Sequence, residues 1–153
     1  MAYWLFKTEP EELSIDDLAA EPARSFVWDG VRNYQARNFL RDQVQLNDLV
    51  FIYHSSCQPP GIAGIARISR AAYPDPAQFE PTSPYFDAKA KPEAPRWIAV
   101  DVQFTQKFAR FVPLDKLKKS STLIEMPLVR KGNRLSVMPV TAAQWQFIVS
   151  LTT

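Results

Sequence analysis

Trp97-Ile98-Ala99-Val100-Asp101-Val102-Gln103-Phe104 alternates along its length, with Ile98, Val100, Val102 and Phe104 on one side and Ala99, Asp101 and Gln103 on the other. A period of two with one apolar side reads as a half-buried strand, as expected of an antiparallel sheet. Just upstream, residues 74 to 95 hold six of the thirteen prolines and read as a long extended loop, packed down through Phe79, Tyr85 and Phe86. Before it, Gly61 to Ile68 sets small residues against Ile, as in a strand passing close to another backbone. Leu49 to Tyr53 is an apolar run after the Asn47-Asp48 turn, too short for a helix, and reads as a core strand. Ala2 to Lys7 is a short aromatic-rich strand that delivers Lys7-Thr8-Glu9 into Pro10. Downstream come a short basic helix at Leu114 to Lys119, a turn at Gly132-Asn133 and a short strand over Arg134 to Val137. Thr141 and Gln144 stand at capping-box spacing and open a closing helix to Leu151; Ser14 and Asp17 do the same for a short helix near the start. These strands do not alternate regularly with long helices, which argues against a doubly wound parallel sheet. The expectation is α+β, a small curved sheet or partial barrel with short helices around it, in one domain over residues 1–153.

The totals exclude several classes. Hydrophobic residues make up 46% and charged residues 22%, which argues against disorder. Cys57 is alone and His54 is the only histidine, so the sequence offers no disulfide and no His/Cys zinc cluster. No apolar run approaches the ~18 residues of a membrane span and no signal-peptide pattern opens the chain. A soluble, cytoplasmic monomer is expected, or a nuclear one if the source is eukaryotic. The net charge of +2 is small, but its distribution is uneven. Thr8 to Ala23 carries six acidic residues and no basic one, whereas Lys107 to Arg134 carries eight basic residues against Asp115 and Glu125. Such a local positive surface suits a salt-sensitive affinity for polyanions.

Trp28-Asp29-Gly30 reads as a turn, and a helix follows from Val31 to Asp42. Ala36, Phe39 and Leu40 form its apolar face; Asn33, Arg37 and Arg41 line another, with Tyr34 and Asn38 beside them. Arg, Asn and Tyr suit planar hydrogen-bonding partners and phosphates better than an ordinary Lys/Glu surface does. Polar residues also recur where strands end, at Lys7-Thr8-Glu9, His54-Ser55 and Arg134-Leu135-Ser136.

Seven stretches together resemble the EVE-domain family of the PUA-like superfamily: WLFKTEP (4–10), WDGVRNYQARNFLRD (28–42), YHSS (53–56), PGIAGIA (60–66), AYPDP (72–76), SPYFDAKAKPEAPRW (83–97) and RLSVMPV (134–140). They cover nearly the whole chain in the family's order, with Cys57 and Phe86 as local variants. The resemblance implies a PUA-like pseudo-barrel of mostly antiparallel strands with flanking short helices. It also implies a reader of modified bases in DNA or RNA, related in architecture to the YTH readers of methylated adenine.

A base flipped from its stack needs an aromatic wall, fixed donors and acceptors for its edge, and positive charge for neighbouring phosphates. Trp28, Tyr34, Tyr53, Tyr85 and Trp97 are the stacking candidates, with Trp28 preferred because it is read in a turn. Thr8, Glu9, Asn33, Asn38, His54, Ser55 and Ser136 are candidates for the base edge; Lys7, Arg32, Arg37 and Arg134 for phosphates. Two alternatives stand beside this reading. A nucleic-acid-processing enzyme finds no support, because no metal-binding carboxylate set, phosphate-cradling glycine loop or placed nucleophile is seen. His54 beside Ser55 lacks the G-x-S-x-G elbow, and adjacent side chains on an extended segment point apart. A nucleotide or other planar small molecule would suit the same pocket. No cofactor and no metal are expected.

Overall fold

The computed structural model describes residues 1–152. Six strands form one sheet: β1 (Tyr3–Thr8), β2 (Ser25–Trp28), β3 (Leu49–His54), β4 (Gly61–Pro74), β5 (Ile98–Pro113) and β6 (Val137–Val140). Their order is β2-β5-β4-β3-β1-β6. Only β1 and β3 run parallel; the other four pairings are antiparallel. The pseudo-barrel is therefore a curved, mostly antiparallel sheet that is not closed by strand pairing. Four helices flank it: α1 (Ile15–Ala20), α2 (Tyr34–Asp42), α3 (Leu114–Lys118) and α4 (Ala142–Ser150).

The apolar runs of β1 and β3 are continuous because both faces of the sheet are covered there. Trp4, Phe6, Val50 and Ile52 enter one core with Ile15 and Leu18 of α1 and Ala36 and Leu40 of α2. Leu5, Phe51 and Tyr53 enter the other with Leu117 of α3 and Trp145 and Ile148 of α4. Trp145 stacks on Phe51 at 3.7 Å between centroids. The turn before β3 is fastened by the buried Asp48, whose carboxylate accepts from the Trp4 indole N–H and the amides of Ala2 and Gln45.

Ile98, Val100, Val102 and Phe104 do share the first core, as their alternation predicts. The strand does not stop at Phe104, however, but runs to Pro113. Opposite β4 its register slips between Ile65 and Ala66, where Gln106 and Phe104 are the respective partners. That extra residue swaps faces, so Phe108 and Val112 join the second core. Gly64 explains the close approach: a Cβ there would lie 2.4 Å from the Gln106 carbonyl oxygen. Both capping boxes form, at Ser14/Asp17 and Thr141/Gln144.

Other expectations shift. α2 starts at Tyr34 rather than Val31, because Asn33 caps it by accepting the Ala36 N–H at 2.9 Å. Trp28 ends strand β2 instead of standing in a turn; the turn begins at Asp29, and Gly30 has φ +78°. The last strand covers Val137–Val140 rather than residues 134 to 137, and Pro139 is tolerated because β6 is an edge. The proline-rich segment includes a 3-10 turn at Pro76–Phe79 and is stitched by buried Gln78. Its amide donates to the carbonyls of Asp75 and Trp97 and accepts from the N–H groups of Arg96 and Trp97. Tyr85 packs down, but Phe86 stays exposed.

Candidate functional site

Where β1 ends, its backbone is held on both sides. The Lys7 N–H donates to the Ser136 carbonyl at 2.9 Å, and the Thr8 carbonyl accepts from the Ser55 amide at 2.9 Å and from its hydroxyl at 3.3 Å. The chain then turns, with the amides of Glu12 and Leu13 closing on the Glu9 carbonyl. Facing this turn across a gap, β2 delivers Phe26 and Trp28 and passes into Asp29-Gly30-Val31. The space between is a cleft of about 730 Å3, lined by Lys7, Thr8, Glu9, Glu12, Leu13, Ser55 and Ser136 on one side and by Arg24 through Val31 (Ser25 excepted) and Tyr85 on the other.

Tyr85 reaches the cleft because the proline-rich segment is anchored beneath it. Asp75, wholly buried, accepts from the Gly30 amide at 2.9 Å and from Arg32 Nη1 at 2.8 Å. Arg32 also donates through Nε and Nη2 to the Tyr85 carbonyl, at 3.2 and 2.7 Å. The Tyr85 ring then lies against Gly30, where a Cβ would come within 2.6 Å of it. Glycine is thus demanded twice, by the positive φ and by the ring. The Tyr85 hydroxyl donates to the Glu12 carboxylate at 2.8 Å, so the ring bridges the two lips. Desolvation, then this hydrogen bond, push the phenol up to about 12. Asp29 stands exposed at the mouth; crowding by protein atoms, then the Asp75 carboxylate, raise its pKa. Half-buried Lys7 has its pKa lowered by desolvation and makes no ion pair among the described residues.

Of the residues named from the sequence, Lys7, Thr8, Glu9, Trp28, Ser55, Tyr85 and Ser136 come together here. Trp28 is only 5% exposed and packs on Phe6 at 5.4 Å, so it is chiefly a core residue that lends the cleft an edge. The others lie outside the lining. His54 Nε2 accepts the Ile15 N–H at 3.1 Å and thus serves the first turn of α1. Asn33 is occupied as a cap. Tyr34 stacks on buried Trp97 at 4.8 Å and lies 4.8 Å from the Arg37 guanidinium. Trp97 also donates its indole N–H to Asp87 at 2.8 Å. Arg37 donates to the Arg96 carbonyl and to Asn38 Oδ1, at 2.9 and 2.8 Å. Arg32, expected at phosphates, is used on Asp75 and Tyr85. Arg134 is exposed away from the cleft. Apart from Arg134, these side chains are engaged within the protein: the planar polar groups of Arg32, Asn33, Arg37, His54 and Trp97 find backbone and side-chain partners there.

Sequence reasoning missed Glu12, which lies in the acidic stretch from Thr8 to Ala23, and Asp29 and Arg24 in the wall. It also missed Asp75 and Gln78, whose roles depend on contacts across the fold. The Asp75 position did carry a signal, since an Asp before Pro often caps a turn.

The cleft is lined by aromatic surface, the aliphatic hydroxyls of Thr8, Ser55 and Ser136, three carboxylates and two cations. That mixture suits a flat heterocycle carrying both donors and acceptors at its edge. Among the described residues no group of three or more His, Cys, Asp or Glu side chains is placed to hold a metal ion, and no helix is long and apolar enough to cross a membrane.

A family model described as the EVE domain matches residues 2–151. Thymocyte nuclear protein 1 of Mus musculus is 45% identical over 166 residues, covering 97% of this chain and 73% of that protein. A crystal structure of a protein from Pseudomonas putida matches with a TM-score of 0.95 and 58% identity, over 99% of this chain and 100% of that one. The crystal structure of the human THYN1 protein in complex with 5-methylcytosine-containing DNA matches with a TM-score of 0.89 and 42% identity, over 99% and 98% of the two chains.

Proposed function

The chain belongs to the EVE-domain family, and on that premise we propose that it is a non-catalytic reader of modified bases in DNA. It acts as a single-domain monomer in whichever compartment holds that DNA, the cytoplasm or the nucleus. The observation that carries the reading is the cleft itself, an aromatic-walled, polar-lined space of base-accommodating size at the ends of β1 and β2. It is joined by the likeness over 99% of the chain to a structure holding 5-methylcytosine-containing DNA. A flipped pyrimidine would lie against the Tyr85 ring and the edge of Trp28. Thr8, Ser55, Ser136, Glu9 and Asp29 surround it with acceptors and hydroxyls for its polar edge. Asn33, Tyr34, Arg37, Asn38, His54 and Trp97 act one layer out, holding the walls in place.

The test is a set of matched duplexes differing in one base, cytosine or 5-methylcytosine, titrated by fluorescence anisotropy at fixed salt. The expected result is tighter binding of the methylated strand, with every strand recovered intact after prolonged incubation. Equal affinity for both duplexes refutes base reading; cleavage or base conversion that vanishes with a cleft substitution refutes the non-catalytic part.

A further inference from the structure

The main cleft is an unsuitable seat for a phosphate. Its lining carries the carboxylates of Glu9, Glu12 and Asp29 against only Lys7 and Arg24. A strand whose base enters it must nevertheless place phosphates nearby, and each needs positive charge. Lys7 marks where. It lines a second cleft as well, of about 570 Å3, between the end of β1, Tyr53 of β3 and the segment from α3 to residue 133. Here the charged lining is Lys7, Lys118, Arg130 and Lys131, with no carboxylate among the lining residues. Arg130 has one acidic neighbour outside it, Glu125, at 3.2 Å and exposed.

Asn133 adds an independent observation. It lines this cleft, and its Oδ1 accepts the Leu135 N–H at 3.2 Å. Its Nδ2 is buried without any hydrogen-bond partner, the only side-chain nitrogen or oxygen in that state among the described residues. A buried donor left unpaired is costly, and its retention marks a place where an acceptor belongs. Four cations, no carboxylate and an unpaired donor are the complement of an anionic oxygen cluster. Lys7 joins the two spaces, half-buried, with its ammonium 5.8 Å from the Tyr53 ring centroid.

We propose that this second cleft is the phosphate subsite of the reader, holding a backbone phosphodiester next to the nucleotide whose base occupies the main cleft. The proposal rests on the base-reading function above and adds a location: base and phosphate are bound on opposite sides of Lys7, by walls of opposite charge character. Arg32 and Arg37, committed to internal partners, take no part.

The experiment uses the whole chain and the variant Lys118→Glu/Lys131→Glu, both positions being exposed. First, inorganic phosphate is titrated while NMR follows the Asn133 side-chain amide and the backbone amides of residues 118 to 133. Saturable shifts are expected in the wild type and should be absent in the variant. Second, the duplexes above are titrated at several salt concentrations. The variant should bind about tenfold or more weakly at low salt, with a log-log salt slope shallower by about 1 for each phosphate it no longer neutralises. The ratio of methylated to unmethylated affinity should stay unchanged, because phosphate contacts position without specifying. Unmoved amides overturn the proposal. So does a variant that keeps wild-type affinity and slope, even if inorganic phosphate shifts the amides, since the cleft then holds a free anion only. Phosphate shifts and a changed slope, without any preference between the duplexes, support the subsite and refute base reading instead.

Discussion

Tyr85 and Trp28 border the same space but are held differently, and that difference fixes what their replacement does. Trp28 is embedded against Phe6, so Trp28→Ala should cost about 3–5 kcal/mol of stability, as for other buried large aromatics. Trp145→Ala, which opens the other core, should cost a similar amount. Thermal melts of the two variants would check this; a Trp28→Ala protein that melts like wild type would mean that the indole is not core. Tyr85 is the better stacking surface because its ring is half-exposed and pinned at both ends. Tyr85→Ala should therefore lose about 1–3 kcal/mol of oligonucleotide binding while the fold survives. Tyr85→Phe keeps the ring and drops only the Glu12 hydrogen bond, so titration should find it close to wild type. Gly30→Ala should be worse than either, since a Cβ there meets the ring and the backbone φ of +78° resists it.

Segments are fastened to one another by single polar groups, and two of these give predictions. His54 must be neutral at Nε2 to accept the Ile15 N–H, and desolvation lowers its pKa from 6.5. The unfolded chain therefore binds the proton more readily than the folded one. This contribution is complete above the unfolded pKa and is lost as pH falls through about 6.5 and below. Melting temperature should drop between pH 7.5 and 5.5, and His54→Gln, which keeps an acceptor without titrating, should flatten that part of the profile. A second fastening is Arg32 on buried Asp75. Arg32→Ala leaves that carboxylate unpaired and should cost about 3–5 kcal/mol. Hydrogen exchange should then quicken at Gly30 and along residues 75 to 87; an unchanged exchange pattern would show that Gln78 alone holds the segment. Neither fastening is visible in the sequence, because partners such as Arg32 and Asp75 lie 43 residues apart. What could be read locally was: both capping boxes, the alternation of Ile98 to Phe104, and the close backbone approach at Gly61 to Ile68. The extension of β5 past Phe104 was hidden by a bulge, since an inserted residue breaks the very period by which a strand is recognised.

Taken whole, the molecule separates its charge as well as its cores. Lys107, counted among the basic residues of the C-terminal half, is used on Asp16 at 2.6 Å, and Arg130 faces Glu125. The cations around the second cleft therefore matter more than the net charge of +2. Oligonucleotide affinity should fall with log K roughly linear in log salt, and binding that ignores salt would point to a neutral small ligand in the main cleft. Family and fold were legible because long motifs survive along the chain in order. Which residues line the cleft was only half legible. The polar strand ends do bring Lys7, Thr8, Glu9, Ser55 and Ser136 to it, while the polar face of α2 braces the walls instead. Arg, Asn and Tyr serve backbone carbonyls as readily as bases, so residue type alone could not separate the two uses.

The pairing of Tyr3 through Phe6 with Val137 through Val140 has a consequence in time. Of the six strands, β1 leaves the ribosome first; it gains its parallel neighbour only after residue 49 and its outer neighbour only once β6 has been made. Until then a segment apolar on both faces waits unpaired, and contacts of such sequence separation slow folding. A chain cut short before β6 would leave β1 as an exposed sheet edge, open to pairing with other chains. Nascent-chain force measurements should accordingly register folding only once the segment carrying β6 has cleared the exit tunnel, late and in a single step.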